Sequence, residues 1–419
     1  MGFSFRYRSA REHRSSDTRS FLWDRGNMHD VGLLGGTKRI GYRPCYCALL
    51  LFTSAAMTLP SAAKSDSPSV QEWPKLVQQA EHGSRKAQAR VGIAYRNGGI
   101  VTRDFAQAMR WLSEAANQGD PLAEATLGAM YYRGEGLAPN LQVAAQWFEK
   151  AAAQGITEAQ FDVACIYEAG TGIQKNYGKA VKFYLEAAKR GYAPAENNLG
   201  LLYENGEGVG QNYAEALSWF MKAARQDYAK AQYNVGVMYS NGTGVRRDYL
   251  TAFQWLELAA KQGHAKAEIA MGDFYFGAWG VHEDALVAAV WYQKAAQQGN
   301  ISAQVKLGTL YLSGRGVERD YSTAASWLSK AAEQGDHEAQ AKLASLYEKG
   351  RGVPNDLNRA YFWRSLSLDE SDSRRASTLR QLADYMAEDD VADAERHASE
   401  WRRLHKDLQI PELDLAPLN

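Results

Sequence analysis

The chain has 419 residues, with 48 Lys and Arg balanced by 48 Asp and Glu, and length alone sets an expectation of two or three globular domains. The balance is uneven: residues 1–63 hold nine basic and four acidic side chains, leaving 39 and 44 over residues 64–419, a net of −5. That acidic excess excludes the basic face that nucleic-acid binding demands.

The first 63 residues do not resemble the rest. Arg39 and Arg43 lead into the apolar run Cys45-Tyr46-Cys47-Ala48-Leu49-Leu50-Leu51-Phe52-Thr53-Ser54-Ala55-Ala56-Met57, followed by Pro60-Ser61-Ala62-Ala63. A charged flank, a short apolar segment and small residues at a cleavage position are the parts of a secretory signal. The expectation is therefore a periplasmic or secreted protein. The alternative is an uncleaved inner-membrane anchor over residues 45–59, although the run is short for a comfortable span, and membrane contact is expected only in that case. Met28 offers a second possible start, which would make residues 1–27 an artefact of gene calling. Removal of the signal takes Cys45 and Cys47 with it and leaves Cys165 alone, read as a small core residue.

Residues 64–86 read as a linker and an N-terminal capping helix, Trp73 to Gly83, with Ala80 and Gly83 in register with the units that follow. From 87 to 369 the chain then repeats every 36 residues, eight times, without an inserted residue. One column is Gly92, Gly128, Ala164, Gly200, Gly236, Gly272, Gly308, Ala344; nineteen residues on comes Trp111, Trp147, Phe183, Trp219, Trp255, Trp291, Trp327, Trp363. A fixed period of this length marks a stacked array, which overrides the domain prior because such arrays grow in one dimension.

Each unit carries two apolar-periodic segments. In the second unit Ala123, Leu127, Met130 and Tyr131 fall at helical spacing, and Gly134 and Gly136 then turn the chain. The column Asp104, Asn140, Asn176, Asn212, Asp248, Asp284, Asp320, Asp356 supplies the side-chain oxygens that cap a second helix, worth about 1 kcal/mol each. Ala-Ala pairs such as Ala151-Ala152 and Ala223-Ala224 close that helix, letting neighbours approach while the indole fills the gap between units. Glycines 119, 155, 191, 263, 299 and 335 stop it, with Asp227 the exception. No strand is evident.

The frame Leu199-Gly200…Tyr203…Gly206-Glu207-Gly208-Val209…Asn212-Tyr213…Ala216…Trp219…Lys222-Ala223-Ala224 resembles the Sel1-like repeat, a subfamily of the tetratricopeptide-type superhelices. The resemblance implies an all-α, right-handed α/α superhelical solenoid of eight helix-turn-helix units with capping helices. It also implies an interaction scaffold whose first helices line a concave, partner-holding surface. Beyond the array, residues 370–407 give two amphipathic, charged stretches suited to a C-terminal cap. Residues 408–419 alternate acids and leucines, and a packed and a disordered tail are equally compatible with them.

Motifs for chemistry are weak. Ser61-Ala62-Ala63-Lys64 matches a Ser-x-x-Lys pattern of penicillin-interacting enzymes but straddles the expected cleavage point. His337-Glu338 lacks the second histidine of a metalloprotease helix, and His264, His282 and His337 share no metal-binding spacing. Asp273, His282, Glu283 and Asp284 read as solvated loop charges. No catalytic, metal or cofactor residue is therefore expected, and Asn241-Gly242-Thr243 is a structural turn before it is a glycosylation sequon.

Partner-binding candidates lie in two columns of the first helices. One runs Asp162, Asn198, Asn234, Ala270, Lys306, Lys342; the other runs Arg133, Ala169, Asn205, Asn241, Gly277, Ser313, Lys349. Asn198, Asn205, Asn234, Asn241, Lys306 and Lys342 are the candidates for backbone groups and an acidic segment of a protein or peptide, with hydrogen bonding between units as the competing role for the asparagines. The sixth unit departs most: Ala278 replaces a turn glycine, Ala285 replaces the usual Tyr, and Phe276 and Trp279 appear nearby. They form either a binding hot spot or a filler for the hole at Ala285. The expected function is an exported, non-enzymatic adaptor of the bacterial envelope. A penicillin-interacting enzyme and a peptidoglycan- or polysaccharide-associated component are the alternatives.

Overall fold

The computed structural model describes residues 68–368 and 375–405, and every regular element among them is an α-helix, nineteen in all. A lone helix, α1 (Trp73–Glu81), precedes eight pairs. The pairs run α2 (Arg85–Asn97) with α3 (Phe105–Asn117), α4 (Pro121–Arg133) with α5 (Leu141–Ala153), and α6 (Thr157–Ala169) with α7 (Tyr177–Ala188). Next come α8 (Ala193–Asn205) with α9 (Tyr213–Ala224), α10 (Ala229–Asn241) with α11 (Tyr249–Lys261), and α12 (Ala265–Gly277) with α13 (Ala285–Gln297). The last two are α14 (Ile301–Ser313) with α15 (Tyr321–Glu333) and α16 (His337–Lys349) with α17 (Leu357–Leu366). Two further helices, α18 (Arg375–Ala383) and α19 (Glu388–Leu404), follow. None of these is long and apolar enough to cross a membrane; the apolar run at 45–57 lies outside the described residues, as do the Ser61–Lys64 motif and the 408–419 tail.

The cap column works as the sequence requires. Each Asp or Asn from Asp104 to Asp356 accepts a backbone N–H from the first turn of its second helix, and its own N–H donates to the carbonyl of the tyrosine that ends the first helix, as Asn212 does to Tyr203 at 2.8 Å. One residue thus starts the second helix and ties it to the first. The two turn glycines have different reasons. The first, such as Gly206, takes the left-handed conformation that ends the helix (φ 74°). The second is needed between units: a Cβ on Gly208 would lie 2.7 Å from the Tyr177 backbone, and one on Gly244 equally close to Tyr213.

Burial follows the same register. Ala216, Phe220, Ala223 and Ala224 of α9 pack with Ala231, Val235 and Met238 of α10, and Trp255 of α11 closes the edge. Thirty-six residues on, Ala252, Leu256, Ala259 and Ala260 meet Ala267, Met271 and Phe274, with Trp291 at the edge. Each core is therefore shared between the second helix of one unit and the first helix of the next, and no unit encloses its own. The large side chains of the second helices that are fully buried are not the indoles but the residues after them: Leu112, Phe148, Tyr184, Phe220, Leu256, Tyr292 and Leu328 are all 2% exposed or less. These side chains press on the Gly column, where a Cβ on Gly200 would meet the Phe220 ring at 2.6 Å. From Trp147 onward the indoles are half-buried, and most carry an ammonium from three residues later, such as Lys222 Nζ 3.5 Å from the Trp219 ring centre. Both ends are covered. Leu76 and Ala80 of α1 pack against Val91 and Trp111, while Leu379, Leu382 and Ala394 of α18 and α19 pack on Tyr361.

Candidate binding surface

The first of the two candidate columns is mostly tied into the protein itself. Asn198 Nδ2 donates to Tyr184 Oη at 3.0 Å, and that hydroxyl donates to Glu168 Oε2 at 2.5 Å. Asn197 Nδ2 donates to Asn198 Oδ1, and Asn234 of the next unit donates to Asn197 Oδ1 at 2.9 Å. A polar thread therefore links the third, fourth and fifth units, the role the sequence left open for these asparagines. Cys165 Sγ lies 3.2 Å from the same Tyr184 hydroxyl and is buried, in keeping with a core role. Farther along, Lys306 Nζ and Tyr292 Oη both donate to Asp273 Oδ1, at 2.8 and 2.5 Å. Burial and that carboxylate together raise the Tyr292 hydroxyl far above its usual range. Lys342 pairs with Glu338 one turn away, at 3.2 Å. Burial pushes the Asp162 carboxyl well up, against the pull of Arg133.

The second column behaves differently. Arg133, Asn205, Asn241, Ser313 and Lys349 stand exposed at the C-terminal ends of their first helices; Arg133 pairs with Glu135 and Ser313 donates to the Thr309 carbonyl, each within its own unit. The backbone beneath them is the same left-handed turn each time, so side-chain chemistry varies over a constant frame.

In the sixth unit, Trp279 stacks on Tyr249 of the preceding unit (ring centres 6.3 Å apart, planes 17°) and meets Phe274 edge-on at 5.8 Å. It packs against the core between the fifth and sixth units and on Tyr249. Phe276 is half-buried beneath the Arg315 guanidinium, 4.0 Å from its ring centre, and Arg315 pairs with Glu283 at 2.5 Å. Asp284 caps α13. The acidic residues of this unit thus serve separate structural contacts, and no group of three metal-ligating side chains occurs among the described residues.

One feature had no sequence signal strong enough to find it. Gln142, Gln146, Glu149, Tyr167, Gln174, Asn176 and Lys179 line an open groove of about 330 Å³ between α5 and α7. Tyr167 Oη donates to Glu149 Oε1 at 2.6 Å, and Lys179 Nζ donates to the Tyr167 oxygen at 2.6 Å and pairs with Glu149 at 3.2 Å. Burial and Glu149 push the Tyr167 hydroxyl up, and the bond to Tyr167 pushes the Lys179 ammonium up. The members lie 12 to 30 residues apart, so only the stacking of units brings them together.

A family model for the Sel1 repeat matches eight consecutive segments, 85–120, 121–156, 157–192, 193–228, 229–264, 265–300, 301–336 and 337–367. Among solved structures the chain is similar to c5321, described as a protective antigen present in uropathogenic Escherichia coli strains and displaying an SLR fold. The identity is 32% and the TM-score 0.67, over 81% of this chain and 72% of that one. It is also similar to a Sel1 repeat protein from Oxalobacter formigenes, at 28% identity and a TM-score of 0.65, over 83% of this chain and 97% of that one. A comparison with curated proteins returns no match. With the shared cores, the caps and the eight matched segments in agreement, the chain belongs to the Sel1 repeat family.

Proposed function

We propose that this protein is an exported, non-enzymatic scaffold of the bacterial envelope that holds a protein or peptide partner along the ends of its first helices. The observation that carries the reading is the division of labour between the two columns. Asn198, Asn234 and Lys306 bond within and between units, whereas Arg133, Asn205, Asn241, Ser313 and Lys349 change from unit to unit in exposed positions. A row of differing side chains at a fixed spacing suits an extended partner, which then meets amides in the middle of the array and cations toward both ends. Export is supported by the charged flank and apolar run before Pro60 and by the similarity to a protective antigen.

Crosslinking in the native envelope followed by mass spectrometry tests the scaffold. Asn205→Arg with Asn241→Arg is expected to lose at least one partner that the unaltered chain captures, with the helical content unchanged. Unchanged recovery of every partner contradicts the assignment. Fractionation of cells producing the full chain tests export, and full-length material confined to the cytoplasm contradicts it.

A further inference from the structure

The fourth residue of each first helix forms a column that alternates: Gln88, Glu124, Gln160, Glu196, Gln232, Glu268, Gln304, then Gln340. All eight are 4% exposed or less. Where the residue is Gln, its Nε2 donates across the joint to the carbonyl eight residues earlier, at the end of the preceding unit's second helix. Gln88 bonds Ala80, Gln160 bonds Ala152, Gln232 bonds Ala224, Gln304 bonds Ala296 and Gln340 bonds Ala332, at 3.1 to 3.4 Å. In six of the eight positions a side-chain oxygen of the column also accepts from a second glutamine thirty residues on. Gln118, Gln262 and Gln334 donate to Gln88, Gln232 and Gln304, and Gln154, Gln226 and Gln298 donate in the same way to Glu124, Glu196 and Glu268, each at 2.7 Å.

A glutamate in this slot therefore keeps one of the two bonds and loses the other. Its first oxygen accepts from the glutamine as a Gln oxygen does, but its second oxygen, when ionised, has no hydrogen for the carbonyl across the joint. Protonation restores the match, because a carboxylic acid has the shape of an amide and places an O–H where Gln places an N–H.

We infer that Glu124, Glu196 and Glu268 make three alternate joints of the array acid-strengthened, each carboxyl on protonation donating its O–H to the carbonyl of Ala116, Ala188 or Ala260 as glutamine does at the joints between. The charged groups that face them are Lys150 and Asp120 at Glu124, Lys222 at Glu196 and Lys294 at Glu268. Each of these lysines already rests on an indole, of Trp147, Trp219 and Trp291, and none forms an ion pair within 4 Å of the buried carboxylate among the described contacts. Burial is the leading influence on all three carboxyls and raises them above the ordinary range. The sign follows: a carboxyl that holds its proton more tightly folded than unfolded adds stability as pH falls through its folded pKa, and loses that contribution as pH rises. Joints with Gln lack this titrating carboxyl, so its contribution falls on alternate joints; at the third of them His264, which caps the same helix as Glu268, acts in the opposite sense.

The test compares the full chain with the triple variant Glu124→Gln, Glu196→Gln, Glu268→Gln in thermal unfolding at about pH 7.5 and about pH 5. The variant is expected to have the higher midpoint at the upper pH, with the gap at least halved at the lower. A gap that does not change with pH, or a variant less stable at both, overturns the inference. Infrared difference spectra of the native chain between the same two pH values give an independent readout. A hydrogen-bonded carboxylic C=O band that the triple variant lacks is expected, and its absence from the native chain overturns the inference.

Discussion

At the scale of single residues, two positions force a side chain into backbone territory that glycine holds elsewhere in the array. Ala278 (φ 56°) and Asp227 (φ 59°) are the described non-glycine residues in the left-handed region. Aspartate visits that region more readily than most residues because its short polar side chain bonds locally, and Asp227 Oδ1 does accept from Gln232 at 3.4 Å. Alanine has no such help. Ala278→Gly is therefore expected to stabilise the chain by about 1 kcal/mol, read as a raised chemical-denaturation midpoint; a lowered midpoint would show that the turn is not under strain. His264 is a second residue with a consequence. It caps α12 with a neutral Nδ1 that accepts from the Ala267 N–H, and burial, with Lys230 and Lys266 adding, pushes its pKa down to about 4. A depressed folded pKa means that its stabilisation is complete above the unfolded value near 6.5 and is lost as pH falls toward about 4. His264→Asn, the cap that Asn300 already provides for α14, is expected to remove that part of the acid sensitivity. An unchanged pH profile would contradict the assignment.

At the scale of elements, the column of buried glutamines explains a defect as well as a regularity. Gln160 Oε1 and Gln340 Oε1 are buried without a hydrogen-bond partner among the described residues, and these are the two units in which the residue thirty positions on is not Gln: Arg190 replaces it in one and Glu370 in the other. Arg190 instead reaches back to the Gly155 carbonyl. Arg190→Gln is expected to give Gln160 its missing donor and to stabilise by about 1 kcal/mol, measured by denaturant unfolding with hydrogen exchange at the third unit. Faster exchange there would contradict it. Much at this scale was legible in the sequence. The 36-residue period set both helices of every unit, and the Asp/Asn and Gly columns set their ends, because caps and turns are local chemistry. The packing roles were less so. Tryptophan drew attention by size, yet the residue beside it is the fully buried one, and helical phase alone does not say which of two adjacent apolar columns faces the glycine. The polar bonds between Asn234 and Asn197, or Gln226 and Glu196, join residues 37 and 30 apart, and a linear reading gives such pairs no mark. The same limit applied to the binding candidates: Asn198 and Asn205 look alike in sequence, and only the structure separates the bonded one from the exposed one.

At the scale of the whole molecule, stability resides in joints. Each core belongs to two successive units, so a unit added or removed in register leaves every remaining joint with a partner of the same shape. A globular domain has no such freedom, because losing 36 residues from its middle opens its only core. The terminal helices take part in the same logic: α1 covers the first open face, and α19 covers the last, where Tyr361 Oη donates to Glu395 Oε1 at 2.7 Å.

Deletion of residues 229–264, one whole unit with its neighbours rejoined in register, is the most direct measurement of that claim. Circular dichroism of the shortened chain is expected to show the same helicity per residue and a cooperative melt a little below that of the parent. Loss of the helical signal at room temperature would mean that the units do not stand on their neighbours alone.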